Sequence, residues 1–168
     1  HFTDRRQRQM CIRDRYRNAM HHSKIKPTWV SPHPNGKTLY IAGNGSNQIF
    51  VVDLESFSIT DTLSTGEGPY NLAISPNGKF LLATLKSEGS VSIWSLKNNK
   101  FLKKIKNTTS VSHGVVVSPD NKYAFISLEG VGGEPGKVDV INLETLSLQG
   151  SVNVGKQAGG IAFWKIEQ

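Results

Sequence analysis

The sequence predicts an all-β fold built from repeated units of about 40 residues. A short turn motif centred on proline occurs three times, and its prolines stand 42 and 43 residues apart: His33–Lys37, Ser75–Lys79 and Ser118–Lys122. Placing the prolines in register also aligns large apolar positions, since Tyr40 falls on Leu82 and on Phe125. A repeat of this period indicates one supersecondary unit used several times.

Each unit contains four short runs that are rich in β-branched and aromatic residues and are separated by turn residues. In the second unit these runs are Tyr70–Ser75, Phe80–Lys86, Ser90–Leu96 and Phe101–Lys106. A unit of about 40–45 residues that contains four antiparallel strands is typical of one blade of a β-propeller. The sequence therefore predicts a partial β-propeller with three four-stranded antiparallel blades, at about 24–65, 66–108 and 109–154, plus the first strand of a fourth within 155–168.

The proline motif is predicted to be the hairpin turn between the first two strands of each blade. Proline suits the first turn position and is excluded from a central strand. In the second unit Asn77-Gly78 follows Pro76, and Asn-Gly favours the positive φ angles of a tight hairpin.

Three blades are too few to close a ring, because propellers close with about four to eight. We therefore expect this chain to be the C-terminal part of a longer protein, with missing N-terminal blades of the same protein as its partners. The last strand, Gly159–Trp164, would begin a blade that the N-terminal end completes. We also expect unpaired strand edges and apolar faces at both ends of such a part.

Residues 1–23 differ from the rest of the chain in composition. All six arginines lie within the first 17 residues, and residues 1–26 carry +6 of the net charge of +7. The segment Arg8–Arg15 resembles translated sequencing-adapter sequence, so residues 1–23 are predicted to be a disordered basic leader and an artefact of sequencing or assembly. The alternative is a basic arm that binds nucleic acid.

The body of the chain excludes several classes of function. From residue 27 onward, 12 lysines face 11 acidic residues, so no basic surface for DNA or RNA is predicted. No apolar stretch approaches the ~20 residues of a membrane span. The only cysteine is Cys11, so the chain cannot form an internal disulfide.

The repeats resemble the YVTN family of propeller repeats. The resemblance rests on three segments that match the turn and two of the strands: Ser112–Lys122, Leu39–Ala42 and Gly136–Leu143. WD40 propellers are the rival family, but Trp94 is followed by Ser95 and no Trp-Asp pair is present. The resemblance implies an exported protein, in the periplasm or at the cell surface, although the chain itself shows no export signal.

Candidate site residues lie at one mouth of the predicted channel, where the loops between second and third strands meet the connections between blades. The third blade departs from its siblings there by the insertion Glu129–Gly136, and His113 lies just before the innermost strand. We expect His113, Glu129, Glu134 and Tyr70 to contribute to a ligand site at this rim. More specific interpretations of the same residues are a metal or haem-ligand cluster, or an acid–base pair. The structural alternative is that these residues serve only the packing of the loop and the channel.

The favoured function is a non-catalytic binding or scaffold domain that presents the channel mouth to a small molecule, polymer or protein. No cofactor and no metal are predicted. The alternative is a propeller enzyme with a metal or haem at the mouth, because similar repeats occur in lactonase-like hydrolases and in haem d1 domains.

Overall fold

The computed structural model describes residues 24–163, and within that range the chain is entirely β-sheet, turn and loop. Twelve strands form three four-stranded antiparallel sheets, which confirms the predicted fold class. The first sheet contains β1 (Pro27–Pro32), β2 (Thr38–Gly43), β3 (Gln48–Asp53) and β4 (Ser58–Ser64). The second contains β5 (Pro69–Ile74), β6 (Phe80–Leu85), β7 (Ser90–Ser95) and β8 (Lys100–Lys106). The third contains β9 (Val111–Val117), β10 (Tyr123–Glu129), β11 (Lys137–Asn142) and β12 (Ser147–Asn153).

Within each sheet the strands follow one another in chain order, so every connection inside a sheet is a hairpin. The described residues contain no helix that is long and apolar enough to cross a membrane. The predicted leader, residues 1–23, lies outside the described residues, as does Trp164.

The proline turns are hairpin loops, but they are wider than a two-residue turn. Ser75 and Phe80 close the loop through the Ser75 N–H, which donates to the Phe80 carbonyl at 2.9 Å. Gly78 has φ of +70°, whereas Asn77 has no positive φ, so only the second residue of the Asn-Gly pair enters the left-handed region. The four residues between Ser75 and Phe80 leave room for an ordinary turn followed by one left-handed glycine. The expected tight turn with two positive φ angles is therefore wrong in this detail.

The sheets pack face to face, and the alternation of side chains along each strand sends neighbouring residues into two different cores. In β7, Trp94 packs with the first sheet, while Ile93 packs with the third. The same division separates Leu81 from Leu82 in β6, and both are fully buried. The second sheet is therefore buried on both faces.

The residues after β12 run along the third sheet. The Ser127 hydroxyl donates to the Gly159 carbonyl, and the Phe163 ring lies 6.1 Å from that of Phe125. One repeat earlier, the Thr84 hydroxyl donates to the His113 carbonyl at 2.8 Å. Gly159 thus occupies the place beside the third sheet that His113 occupies beside the second. Residues 159–163 lack the backbone pairing of a regular strand, because no further strand lies beside them in the described range.

The outer ends of the stack expose apolar side chains. Trp29 and Val30 of β1 are 47% and 54% exposed, and Val152 of β12 is 60% exposed. Single exposed apolar residues are ordinary, and Trp29 and Val30, as neighbours on one strand, point to opposite faces of the first sheet.

Candidate functional site

The loops between second and third strands and the connections between sheets meet at one rim of the molecule. The Lys86 N–H donates to the Gly68 carbonyl at 2.8 Å, and the Asn107 N–H donates to the Gly89 carbonyl at 3.0 Å. In the third sheet the Gly136 N–H donates to the Gly155 carbonyl at 3.1 Å. A backbone hydrogen bond therefore joins each connection to the neighbouring loop, as expected for the mouth of a propeller channel.

Four side chains from two sheets converge at this rim, and we call them the mouth cluster: Tyr70, Lys86, His113 and Glu129. One Glu129 carboxylate oxygen, Oε1, lies 3.0 Å from Lys86 Nζ and 3.3 Å from His113 Nε2. The Tyr70 and His113 rings are 4.7 Å apart at an interplanar angle of 55°. Lys86 Nζ also lies 4.6 Å from the centre of the Tyr70 ring, in cation–π range.

The mouth cluster is partly open to solvent. The side chains of Lys86, His113 and Glu129 are 32%, 21% and 28% exposed. The opposite ring nitrogen of His113, Nδ1, is buried and has no hydrogen-bond partner among the described residues. The ring is oriented so that Nε2 faces the Glu129 carboxylate and Nδ1 faces inward. The cluster thus presents an ammonium, an imidazole edge and a carboxylate to one point on the rim.

The repeat explains why these four residues meet. Tyr70 and His113 are 43 positions apart, and so are Lys86 and Glu129. Each sheet therefore contributes one residue of its first strand and one at or directly after the end of its second strand, and His113 lies within β9 rather than before it as expected. The Thr84 hydroxyl joins the two sheets beneath them. It accepts from the Asn71 N–H at 3.0 Å and donates to the His113 carbonyl at 2.8 Å.

The predicted site is brought together in part. Tyr70, His113 and Glu129 lie in the mouth cluster, whereas Glu134 does not. The insertion turns back on itself, since the Glu134 N–H donates to the Val131 carbonyl at 3.2 Å, and this turn leaves Glu134 exposed. Glu134 instead borders an open groove of about 750 Å³, whose other lining residues come from the insertion and the connection after β12: Gly130, Gly132, Gly133, Val154, Gly155, Lys156, Gln157 and Ala158.

Lys86 was missed by reasoning from the sequence, although a signal was present. It lies one repeat before Glu129, so the same register that selects Glu129 also selects Lys86. What the sequence did not show is that the two side chains point toward each other across the gap between sheets.

A second carboxylate at the rim has a structural role. Asp139 is fully buried and accepts from Asn107 Nδ2 at 3.1 Å, from the Thr108 N–H at 2.9 Å and from the Thr108 hydroxyl at 2.6 Å. These bonds hold the connection between β8 and β9 against β11. Within residues 24–163, no three or more His, Cys, Asp or Glu side chains are grouped closely enough to hold a metal ion.

The sequence and the fold of this chain are similar to those of several known proteins. The chain is 24% identical over 128 residues to the seven-bladed β-propeller protein Rv1057 of Mycobacterium tuberculosis, an alignment that covers 74% of this chain and 32% of that protein. The structure resembles hydrazine synthase of Kuenenia stuttgartiensis, with a TM-score of 0.75, 23% identity and coverage of 82% of this chain and 38% of the other. It also resembles a Bacteroides uniformis protein proposed to be a 6-phosphogluconolactonase, with a TM-score of 0.62, 22% identity and coverage of 81% and 42%.

These likenesses show the fold, and the chain spans about a third of the length of the curated relative. The narrower assignment to YVTN repeats stays a prediction. The sequence profile that matches is described as a lactonase with a seven-bladed β-propeller, and it covers residues 4–123. The chain belongs to the lactonase family of seven-bladed β-propellers.

Proposed function

We propose that the mouth cluster is a binding site for a small polar ligand, in a propeller domain that acts by binding rather than by catalysis. The observation that carries this proposal is the Glu129 carboxylate, which joins Lys86 and His113 from two different sheets at a partly exposed point on the rim. The hydrophobic cores already join the sheets, so the fold does not require a charged cluster at this point.

The side chains define the chemistry of the ligand. Lys86 and His113 offer hydrogen-bond donors, and Glu129 offers acceptors. Tyr70 supplies an aromatic surface whose face already holds the Lys86 ammonium. A hydroxylated molecule that also carries a carboxylate or phosphate group fits this set, because its hydroxyls can bind Glu129 while its anionic group meets the two donors.

Hydrolysis of a lactone is the second candidate, and two observations favour it: the family match and the contact between Glu129 and His113. In such a reaction the pair takes a proton from water as the water oxygen bonds to the lactone carbonyl carbon. The ring C–O bond then breaks, and the departing oxygen receives that proton. Lys86 would stabilise the negative charge that develops on the carbonyl oxygen.

One experiment distinguishes the two functions. The chain is titrated calorimetrically with aldonate and phosphorylated aldonate sugars, and hydrolysis of the corresponding lactones is followed by acid release at constant pH. Glu129→Gln and His113→Ala are compared with Glu67→Gln, which alters an exposed carboxylate on the same rim.

For the binding proposal we expect affinity without turnover, and a loss of at least about tenfold in Glu129→Gln, the size expected for one charged hydrogen bond. Turnover abolished by both cluster variants and retained by Glu67→Gln would establish the hydrolase instead. Binding unaffected by all three variants would place the ligand elsewhere and contradict both assignments.

An exported location, in the periplasm or at the cell surface, is a further proposal that rests on the repeat resemblance alone. Fractionation of cells that express the full-length gene tests it. Recovery of the protein only with cytosolic markers would overturn it.

A further inference from the structure

The outer part of the second sheet carries an unusual concentration of positive charge. Residues 89–119 contain no aspartate or glutamate, and five lysines fall within ten positions: Lys97, Lys100, Lys103, Lys104 and Lys106. Four of them lie on β8, the edge strand of the sheet. The equivalent edge strands β4 and β12 contain no lysine, so a blade of this kind does not need a basic edge in order to fold.

The lysines of β8 divide between the two faces of the sheet. Lys104 pairs with Glu88 at 2.9 Å, and Lys106 donates to the Glu88 carbonyl, so both are engaged at the mouth rim. Lys100 and Lys103 lie opposite Ser95 and Ile93 of β7, which are two positions apart and therefore on one face. No ion pair within residues 24–163 involves these two exposed lysines.

The irregular register of β8 produces this arrangement. Lys103 opposes Ile93 while Phe101 opposes Trp94, so Leu102 is an extra residue in the edge strand. A regular strand would place Lys100 and Lys103 on opposite faces, because three positions separate them. The bulge brings both ammonium groups to the same face with a spacing of roughly 7 Å along the strand.

We propose that β8 is a docking edge for an extended acidic segment of another protein, which adds to the second sheet as a fifth strand. The outer side of an edge strand offers backbone donors and acceptors that such a segment can pair with. Acidic residues at alternate positions of that segment repeat at the spacing of Lys100 and Lys103 and would lie beside them as cross-strand pairs. Two copies of β8 would place lysine against lysine, so the same charge that attracts an acidic strand disfavours self-pairing.

The structure favours a peptide over a membrane or a nucleic acid. The more exposed of the two exposed apolar residues of β8, Phe101, is held to the blade by its edge-to-face contact with Trp94, at 5.8 Å between ring centres. A nucleic acid would use the lysines through its phosphates but would leave the alternating backbone groups of the edge unpaired. A strand partner uses both the backbone groups and the lysines.

The test uses the 168-residue chain and two fluorescent peptides of about ten residues with equal charge: an alternating Thr-Glu peptide and the same peptide with every backbone nitrogen methylated. Fluorescence anisotropy measures the affinity of each. The methylated peptide retains the charge but has no backbone N–H group to donate, so we expect it to bind at least tenfold more weakly than the unmethylated Thr-Glu peptide.

The double variant Lys100→Gln/Lys103→Gln should weaken Thr-Glu binding at least tenfold. The matched control Lys79→Gln/Lys122→Gln removes the same charge from exposed turns and should change the affinity by less than twofold. Circular dichroism establishes that both double variants are folded. Equal binding of the two peptides, equal loss in both double variants, or tighter binding to single-stranded RNA or to phosphatidylserine vesicles would each overturn the proposal.

Discussion

At the residue scale, an uncharged side chain, Thr84, links two sheets beneath the mouth cluster. The Thr84 hydroxyl is fully buried and satisfies two backbone groups, one in its own sheet and one in the next. Thr84→Val keeps the shape but leaves the Asn71 N–H buried without its partner. The cost expected for such a group is about 1–3 kcal/mol, measured as the free energy of unfolding in urea.

Thr84→Ser is the matched comparison, because it retains the hydroxyl and should recover most of that loss. Thr62→Val, at an exposed position of β4, should be nearly neutral. If Thr84→Val were as stable as Thr84→Ser, the hydroxyl would not be the link between the sheets.

The repeat register predicts only part of the mouth cluster. The register places Tyr70, His113 and Glu129 at one rim because equivalent positions in a repeat occupy equivalent positions in space. It does not give side-chain directions, which depend on the gap between sheets and on loop closure. The contact between Lys86 and Glu129 is therefore not indicated by the register alone, and Glu134 borders the neighbouring groove rather than the mouth cluster.

At the scale of one element, the hairpin turns have a measurable electrostatic property. In the third sheet the Ser118 hydroxyl donates to Asp120 Oδ1 at 2.5 Å, and the Lys122 N–H donates to it at 3.1 Å. The Ser118 hydrogen bond is the largest cause that lowers the pKa of Asp120 below its ordinary value of 3.8; the Lys122 N–H follows, and the charge of Lys122 adds less. Ser118→Ala should therefore raise that pKa, as measured by NMR titration of the Asp120 side chain.

The sign of the pH dependence follows from this lowering. A carboxyl whose pKa is lower in the folded protein stabilises the fold at pH above its unfolded pKa, and that stabilisation is lost as the pH falls through its folded pKa. Ser75→Ala removes the equivalent hydroxyl from a turn that has Asn77 in place of the aspartate. It should therefore leave the Asp120 titration unchanged, and a similar shift in both variants would show that the effect is not local.

At the scale of the whole molecule, the fold could be predicted from the sequence because the turn residues and the strand pattern both indicate the same architecture. Turn residues recur in each repeat and separate strands with a period of two. Side chains within a strand alternate, so Ile93 and Trp94 must face opposite ways. The sequence did not predict details that depend on how each loop closes, such as the width of the Ser75–Phe80 turn. A stack of sheets in which each contacts only its neighbours should also be unequally stable along its length.

The second sheet, buried on both faces, should contain the slowest-exchanging backbone amides, in β6 and β7. Adjacent residues of β6 test this picture, because Leu81 packs between the first and second sheets and Leu82 between the second and third. Each change to alanine should cost about 2–5 kcal/mol of unfolding free energy. By hydrogen–deuterium exchange mass spectrometry, Leu81→Ala should speed exchange mainly in β2, β3 and the second sheet, and Leu82→Ala mainly in β10, β11 and the second sheet. Equal acceleration of all three sheets by both variants would mean that the stack unfolds as one cooperative unit, and the one-dimensional description of its stability would then be wrong.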